Sequence, residues 1–293
     1  MVRTYPEPSA VLELLKPITW FPPMWAFGCG VVASGVPLAE RWPAALVGVV
    51  LAGPLVCAMS QAANDWYDRD VDAINEPHRP IPSGRIPGRW GFYIAVVWTL
   101  LSLLVASALG QWVEIACLLG VAFAWAYSAP PIRLKLNGWW GNAACGLSYE
   151  GLAWVTGHAV MLGGAMPTWR SLLLALLYSV GAHGIMTLND FKSIKGDSQM
   201  GIRSLPVMLG PQSAAATACA VMLAPQLVVI VLLLVWGRPW EAGIVCVLVG
   251  GQIAMMRRFM AAPVDKALWY SGFGVPFYVL GMLASAFALR AIN

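Results

Sequence analysis

Charged residues are scarce in this sequence. Asp, Glu, Lys and Arg make up 11% of its 293 residues, whereas soluble globular domains carry about 25%. Apolar side chains account for 59%, and the mean hydropathy is +0.69. This composition excludes an ordinary soluble domain and indicates a polytopic membrane protein, whose immediate partner is the lipid bilayer. The net charge of +4 is small and gives no nucleic-acid signature, so we expect no nucleic-acid partner.

Cysteine patterns that bind metals or build disulfide frameworks are also missing. The sequence has no CxxC pair and no Cys/His spacing typical of a metal site. Its six cysteines all lie in apolar stretches: Cys29, Cys57, Cys117, Cys145, Cys219 and Cys246. We interpret them as small buried apolar residues. The N-terminal segment has no apolar run before Ile18, which predicts that no signal peptide is cleaved from it.

Apolar runs of about the length needed to cross a bilayer occur nine times. They are Ile18–Leu38, Ala44–Ala63, Gly91–Gly110, Val113–Ala129, Trp139–Met161, Ser171–Leu188, Ala214–Trp236, Ala242–Met256 and Leu268–Leu289. We therefore predict an all-α membrane protein with about nine transmembrane helices.

Basic residues divide unevenly between the two sets of loops that these spans create. Fourteen lie in one set: Arg3, Lys16, Arg69, Arg79, Arg85, Arg89, Arg133, Lys135, Lys192, Lys195, Arg203, Arg257, Arg258 and Lys266. Four lie in the other: Arg41, Arg170, Arg238 and Arg290. Because cytoplasmic loops are enriched in Lys and Arg, we expect a cytoplasmic N-terminus and a C-terminus on the far side.

Acidic residues collect where the second span ends, in the stretch NDWYDRDVD that begins at Asn64. Helical spacing puts Asn64, Asp68 and Asp72 on one face, with Asp65 beside them. Asp70 points roughly the opposite way. Like charges one turn apart repel each other, and a carboxylate in the hydrocarbon region costs about 2.5–3.5 kcal/mol. A cation must therefore offset the charge of this face.

A related stretch, NDFKSIKGD, follows the sixth span. The two stretches align as Asn64 with Asn189, Asp65 with Asp190, Asp68 with Ser193, and Asp72 with Asp197. Downstream, RPIP matches RSLP. We predict one domain, residues 1–293, with two related halves whose motif regions are 61–86 and 186–210. Each half presents an acidic helix end to the same side, as in membrane folds built from repeats.

A divalent metal fits two such acidic helix ends best. Mg²⁺ is held in proteins by one or two carboxylates together with substrate phosphates, so the motifs predict a site that binds a diphosphate through Mg²⁺. Nearby basic residues complete the predicted diphosphate site: Arg79, Arg85, Lys192 and Arg203. The alternative is an ordinary charged helix end in the lipid headgroup region, which explains one motif more readily than a matched pair.

These residues resemble the UbiA superfamily of intramembrane prenyltransferases. NDWYDRDVD matches that family's first aspartate-rich motif, N-D-x-x-D-x-x-x-D, and NDFKSIKGD matches the second except at Ser193, where many members have aspartate. The resemblance implies nine helices around a central cavity and a role for Asn64 in binding the diphosphate. It also implies five metal ligands: Asp65, Asp68, Asp72, Asp190 and Asp197.

The similarity is greatest to the chlorophyll and bacteriochlorophyll synthases of that superfamily. Three blocks carry it: NDWYDRDVDAINEPHRPIPSGRI, YSAPPIRLK and NDFKSIKGDSQMGIRSLPVMLG. It implies transfer of a geranylgeranyl or phytyl group from its diphosphate to the propionate carboxylate of chlorophyllide a or bacteriochlorophyllide a, with Mg²⁺ as cofactor. It favours the bacterial pigment, and with it the inner membrane of a photosynthetic bacterium, with the C-terminus in the periplasm. The donor chain and the oligomeric state stay open.

The resemblance identifies Tyr127 and Lys135 of the second block as bordering the active site, and we expect them to be catalytic. Contact with lipid headgroups is the alternative for both. Glu150 lies midway along the fifth span, where an acidic side chain is usually functional, and His78 follows the first motif. We expect Glu150 and His78 to contact the tetrapyrrole; for Glu150 the alternative is a partner within the helix bundle.

Other functions stay open at this point. Another UbiA-type prenyltransferase would act on an aromatic ring or on haem. A carrier coupled to cations would place its acidic residues near the bilayer midplane, whereas these cluster at one face. A pigment-binding membrane protein would use an intramembrane histidine, such as His158 or His183, and would leave both acidic motifs unexplained.

Overall fold

The computed structural model describes residues 4–292, and this part of the chain is almost entirely helical. Its helices are α1 (Pro8–Leu14), α2 (Phe21–Ala33), α3 (Leu38–Asn75), α4 (Trp90–Leu109), α5 (Gln111–Ser128), α6 (138–161), α7 (Trp169–Asp190), α8 (Ile194–Gln199), α9 (Leu205–Leu209), α10 (Pro211–Val235), α11 (Pro239–Ala261) and α12 (Pro263–Arg290, interrupted at Gly274). Within the described residues, β pairing is limited to one isolated bridge between Asn137 and Arg203. The prediction of an all-α fold is confirmed.

Seven of the helices in residues 4–292 are long and apolar enough to cross a membrane: α3, α4, α5, α7, α10, α11 and α12. The other two predicted spans are helices of a different character. Helix α2 has only 13 residues, and α6 is interrupted and carries the buried Glu150. The chain is therefore an integral membrane protein, and the count of nine spans is approximate. Arg3, which contributed to the predicted orientation, lies outside the described residues.

Two of these helices contain a π-helical turn. In α3 the turn covers Leu51–Cys57 around Pro54, which has no N–H with which to continue the α-helix. The indole N–H of Trp98 in α4 donates to the Pro54 carbonyl over 3.0 Å. In α6 the turn covers Leu147–Leu152. Such turns often occur at functional sites, and both lie against the cavity described below.

Glycines let α2 and α6 approach each other closely. A Cβ atom on Gly30 of α2 would lie 2.0 Å from the carbonyl oxygen of Trp154. A Cβ atom on Gly157 of α6 would lie 2.1 Å from the carbonyl oxygen of Phe27. Both positions therefore require glycine, in the manner of many transmembrane helix pairs. This contact fixes two helices that together form part of the cavity wall.

The helix ends that carry the two motifs, and the loops next to them, meet at one end of the bundle. Helix α3 ends at Asn75, just after the first motif, and α7 ends at Asp190, within the second. The loop before α6 is tied to the loop after the second motif by two backbone hydrogen bonds. Arg203 N–H donates to the Leu136 carbonyl over 2.9 Å, and Gly138 N–H donates to the Arg203 carbonyl over 2.8 Å. Segments distant in sequence are thus held together at the acidic helix ends.

Candidate active site

A cavity of about 500 Å³ lies between α2, α3, α5, α6 and α7. Most of its wall is apolar and is formed by side chains such as Leu51 and Leu152. Its polar lining includes Asn64 of the first motif, together with Asn189 and Lys192 of the second. The two acidic motifs therefore border the same cavity.

The buried carboxylates of the first motif are paired with cations. Asp65 and Asp72 are only 2% and 6% exposed. Lys16 Nζ lies 2.6 Å from Asp65 Oδ1, and Arg79 Nη1 lies 2.8 Å from Asp72 Oδ2 and 3.7 Å from Asp65 Oδ1. Burial acts to lower the pKa of Arg79, but the charges of Asp65 and Asp72 outweigh it, so that the pKa is raised. Arg79 therefore stays charged and bridges the two carboxylates.

Asp68 is paired with basic residues of the loop between α5 and α6. Lys135 donates a hydrogen bond to Asp68 Oδ1, and Arg133 Nη2 lies 3.8 Å from the same oxygen. The Lys135 side chain is 8% exposed, and this burial lowers its pKa although Asp68 acts in the opposite direction. Tyr127 lines the cavity and lies within electrostatic range of both Asp68 and Asp190. Tyr127 is thus part of the cavity wall, while Lys135 lies beside the first motif at Asp68.

The carboxylates of the second motif have neutral hydrogen-bond donors instead. Asn142 Nδ2 donates to Asp190 Oδ2 over 3.1 Å, and Ser193 Oγ donates to Asp197 Oδ2 over 2.9 Å. The ion pairs formed within residues 4–292 involve neither of these two carboxylates. Ser193, which stands where many family members have an aspartate, orients Asp197 here.

Three of the other predicted site residues lie at the rim or away from the cavity. Arg85 makes two hydrogen bonds to Glu13, of 2.6 and 3.0 Å. The His78 side chain is 76% exposed. Arg203 is exposed and contributes the backbone bridge to the loop before α6. Lys192, in contrast, lines the cavity.

Glu150 lies behind the cavity wall rather than in it. It is 3% exposed, and its Oε2 accepts no hydrogen bond. Its neighbours Tyr149 and Leu152 line the cavity, whereas Glu150 does not. The carboxyl group instead lies within electrostatic range of Cys29 in α2 and Tyr278 in α12. The expected contact between Glu150 and a tetrapyrrole stays a prediction.

Sequence reasoning did not identify three residues of this site. Lys16 entered the sequence analysis only as one of the basic residues that predict the membrane orientation. Its position directly before the first span was the one sequence feature that could have indicated a role in the site. Gln61 and Tyr149 both line the cavity, and Gln61 Nε2 donates to Tyr149 Oη over 2.9 Å. Gln61 precedes Asp65 by one helical turn, so its spacing was a usable signal.

The donors at this end of the cavity fit a hard divalent cation. Asp65 Oδ2 is buried and accepts no hydrogen bond, which leaves one carboxylate oxygen of the first motif unsatisfied. Among the described residues, no group of three or more His, Cys, Asp or Glu side chains is arranged to hold a metal by itself. Mg²⁺ commonly binds to one or two carboxylates plus substrate phosphates. Carboxylates of the two motifs are therefore suited to share Mg²⁺ with a diphosphate.

Comparison with known proteins agrees with this arrangement. Residues 19–279 match the family model of the UbiA prenyltransferase family. The chain is 58% identical over 291 residues to the bacteriochlorophyll synthase 33 kDa chain of Cereibacter sphaeroides, covering 99% of this chain and 96% of the relative. It is 39% identical over 291 residues to the chloroplastic chlorophyll synthase of Arabidopsis thaliana, covering 94% of this chain and 73% of the relative.

A solved structure has the same fold. It is a UbiA homolog from Archaeoglobus fulgidus bound to GPP and Mg²⁺, with a TM-score of 0.66 and 20% identity, covering 96% of this chain and 99% of that chain. At this identity the likeness concerns the fold alone. With the family match and the 58% identical relative, the conclusion is that the chain belongs to the UbiA prenyltransferase family.

Proposed function

We propose that this prenyltransferase catalyses the Mg²⁺-dependent transfer of a geranylgeranyl or phytyl group from its diphosphate to the propionate carboxylate of bacteriochlorophyllide a or chlorophyllide a. The observation that carries the proposal is the cavity that both motifs share, with Asn64 and Asn189 among its polar residues and apolar side chains along most of its wall. A prenyl diphosphate has the same division of polarity. The relatives named bacteriochlorophyll synthase and chlorophyll synthase support the pigment acid as acceptor.

The donor diphosphate is assigned to the acidic end of the cavity. Its Mg²⁺ is held by the carboxylates of the two motifs: Asp65, Asp68, Asp72, Asp190 and Asp197. When bound, Mg²⁺ supplies positive charge that stabilises the leaving diphosphate. Asn64, Arg79 and Lys192 are assigned to the diphosphate oxygens. Arg85 and Arg203 lie farther out, where we assign them to attracting the anionic substrate.

The proposed reaction exchanges one C–O bond for another. The bond from C1 of the prenyl group to the diphosphate oxygen breaks, and the electron pair leaves with the diphosphate. A propionate oxygen then forms the ester bond to C1. The propionate is already anionic near pH 7, so the chain needs no general base. Lys135 and Tyr127 stabilise the negative charge that develops on the leaving group, and the apolar wall keeps water from the reacting carbon.

Two residues are assigned to the acceptor. We assign His78, which is exposed in the loop after the first motif, to contact with the tetrapyrrole. Glu150 reaches the acceptor only if the π-helical turn of α6 rearranges, because Tyr149 and Leu152 now face the cavity.

We further propose that the chain is one domain with two related halves, each contributing one acidic motif. The asymmetry of the basic loops supports an N-terminus and an active site that face the cytoplasm and a C-terminus in the periplasm. The membrane is then the inner membrane of a photosynthetic bacterium.

Membranes that contain this chain test the proposal directly. They are incubated with geranylgeranyl or phytyl diphosphate, Mg²⁺ and each pigment acid in turn, and the esterified pigment is measured by mass spectrometry. Asp65→Ala and Asp190→Ala should abolish the ester while the protein stays inserted. Normal turnover in both variants would contradict the metal site. Product formed only with an aromatic ring or haem as acceptor would contradict the pigment assignment.

A further inference from the structure

Lys16 forms an ion pair with the first motif from outside both motif regions. Its Nζ lies 2.6 Å from Asp65 Oδ1, while Asp65 Oδ2 accepts no hydrogen bond. The Lys16 side chain is 25% exposed, so its ammonium group reaches from the protein surface to a buried carboxylate. Thr19, one turn further on, lines the cavity and donates its hydroxyl to the Lys16 carbonyl over 2.8 Å. Lys16 therefore stands at the border of the proposed diphosphate site.

The backbone of Lys16 has an uncommon conformation. Its φ is 45°, in the left-handed region that residues with a long side chain rarely adopt. Among the described residues, Arg133 is the other non-glycine residue with positive φ, at 41°. Its side chain also reaches the first motif, since Arg133 Nη2 lies 3.8 Å from Asp68 Oδ1. Residues held in such conformations cluster at ligand sites and switch regions, and here both carry a cation to the same acidic face.

The segment that carries Lys16 is anchored by other contacts. Glu13 binds Arg85 through two hydrogen bonds, of 2.6 and 3.0 Å. The indole N–H of Trp20 donates to the Leu15 carbonyl over 2.8 Å. The ion pair of Lys16 is therefore free to break without releasing the segment from the bundle.

We propose that Lys16 is a mobile cation of the active site, an inference that rests on the proposed function. Lys16 neutralises Asp65 in the unloaded protein and moves to an oxygen of the diphosphate when a divalent cation takes Asp65. The exchange follows from charge, because a divalent cation at Asp65 would add two positive charges beside Lys16 and Arg79, and Lys16 is the one of these two that has no second carboxylate to hold it. Lysine suits this role, since its ammonium is a compact charge on a flexible four-carbon stem. Arg79 keeps its bond to Asp72 and has further N–H groups with which to contact the diphosphate.

Calorimetric titration of the detergent-solubilised full chain tests the exchange. The probes are Mg²⁺ alone and inorganic pyrophosphate in saturating Mg²⁺. In Lys16→Met, Mg²⁺ no longer has to displace the Lys16 ammonium from Asp65. Mg²⁺ alone should therefore bind about 10-fold more tightly than to the wild-type chain. Pyrophosphate loses a charged hydrogen bond and should bind about 10- to 100-fold more weakly. Lys16→Arg should keep wild-type behaviour, and Arg257→Met, which removes an exposed basic side chain of α11, should change neither titration.

The opposite shifts of the two affinities are the decisive result. A permanent structural ion pair predicts a lower thermal midpoint in Lys16→Met, with both affinities unchanged or moved in the same direction, and this outcome would overturn the inference. If Lys16→Met does not fold, Lys16→Gly makes the same comparison, because glycine accepts positive φ.

The proposed function and the role of Lys16 fail in distinguishable ways. A wild-type chain that binds Mg²⁺ and pyrophosphate but esterifies no pigment acid contradicts the function, while the titrations still decide the role of Lys16. A wild-type chain that binds no pyrophosphate overturns both.

Discussion

The two acidic motifs are related in sequence but differ in their electrostatic surroundings. The carboxylates of the first motif are each paired with a basic side chain: Asp65 with Lys16, Asp68 with Lys135, and Asp72 with Arg79. Those of the second motif are bonded to uncharged side chains: Asp190 to Asn142, and Asp197 to Ser193. Within the described residues, the carboxylates of the first motif are therefore ion-paired, whereas those of the second form hydrogen bonds to neutral side chains and no ion pair.

This difference indicates separate tasks for the two halves. A buried carboxylate with no cation is unfavourable, so the second motif gains more from a divalent ion. The first motif must release Lys16 to bind the same ion, and Lys16 then becomes available to the diphosphate. We infer that the second motif binds the metal most strongly, whereas the first motif couples metal binding to substrate binding.

Neutralising one carboxylate in each motif should have the largest effect on activity. Asp190→Asn removes a ligand that no protein cation replaces, and we expect kcat/KM to fall about 10³-fold; for Asp65→Asn we expect about 10²-fold. Steady-state ester formation in membranes with equal amounts of protein measures both. Asp70→Asn is the matched control, because Asp70 lies on the same helix but is 85% exposed. If kcat/KM fell as far in Asp70→Asn as in Asp65→Asn, the buried face of α3 would have no special role in catalysis, which would contradict the proposed metal site.

Lys135→Met should lower kcat by about 10²-fold, because Lys135 is the buried cation nearest to Asp68 and stabilises the leaving diphosphate in the proposed mechanism. Single-turnover kinetics with saturating donor measure this step. The control is Lys195→Met, which removes an exposed lysine within the second motif. If Lys135→Met raised only KM for the donor and left kcat unchanged, Lys135 would bind the ground state and the transition state equally, which would contradict its proposed role.

Stability should respond to the two motifs in different ways. Asp65→Asn leaves Lys16 without its carboxylate and should destabilise the unloaded protein by about 1–3 kcal/mol. Asp190→Asn removes a charge that forms no ion pair and keeps an amide oxygen that can accept from Asn142, so we expect no loss of stability or a small gain. Thermal unfolding in detergent, with a chelator present, compares the variants. Equal destabilisation by both would contradict the electrostatic difference between the motifs.

The smallest effect is expected at Ser193. Ser193→Ala removes the hydrogen bond to Asp197 but no charge, so KM for the donor should rise about 3- to 10-fold with little change in kcat. Ser198→Ala, at an exposed serine of α8, the helix that begins directly after Ser193, is the control. A large fall in kcat would show that the Ser193 hydroxyl acts on the reacting groups themselves.

Local spacing predicts the parts of the site that lie on one helix. The i, i+4 pattern predicts the shared face of Asp68 and Asp72, and it also predicts that Asp70 points away, as its 85% exposure and its pairing with Arg69 show. The long apolar runs likewise predict the helices and their approximate number. These features depend on residues within one or two helical turns of each other, so the spacing of residues in the sequence predicts them.

Local sequence patterns do not predict contacts between segments that are distant in the chain. Lys16 reaches Asp65 across 49 residues, by way of a left-handed residue that no local periodicity predicts. Arg85 is close in sequence to the first motif, yet it pairs with Glu13 of α1. Glu150 lies off the face of α6 that carries Tyr149 and Leu152 to the cavity, and the sequence does not state that α2 and α12 pack on its side of the helix.

The most direct test of a shared site compares Mg²⁺-dependent pyrophosphate binding by the wild-type chain, Asp65→Asn, Asp190→Asn and the double variant. If both motifs hold one metal diphosphate, the double variant should lose less binding free energy than the sum of the single losses, by about 0.5–3 kcal/mol. Losses that add to within about 0.5 kcal/mol would mean that the two carboxylates act at separate sites, and would contradict the account.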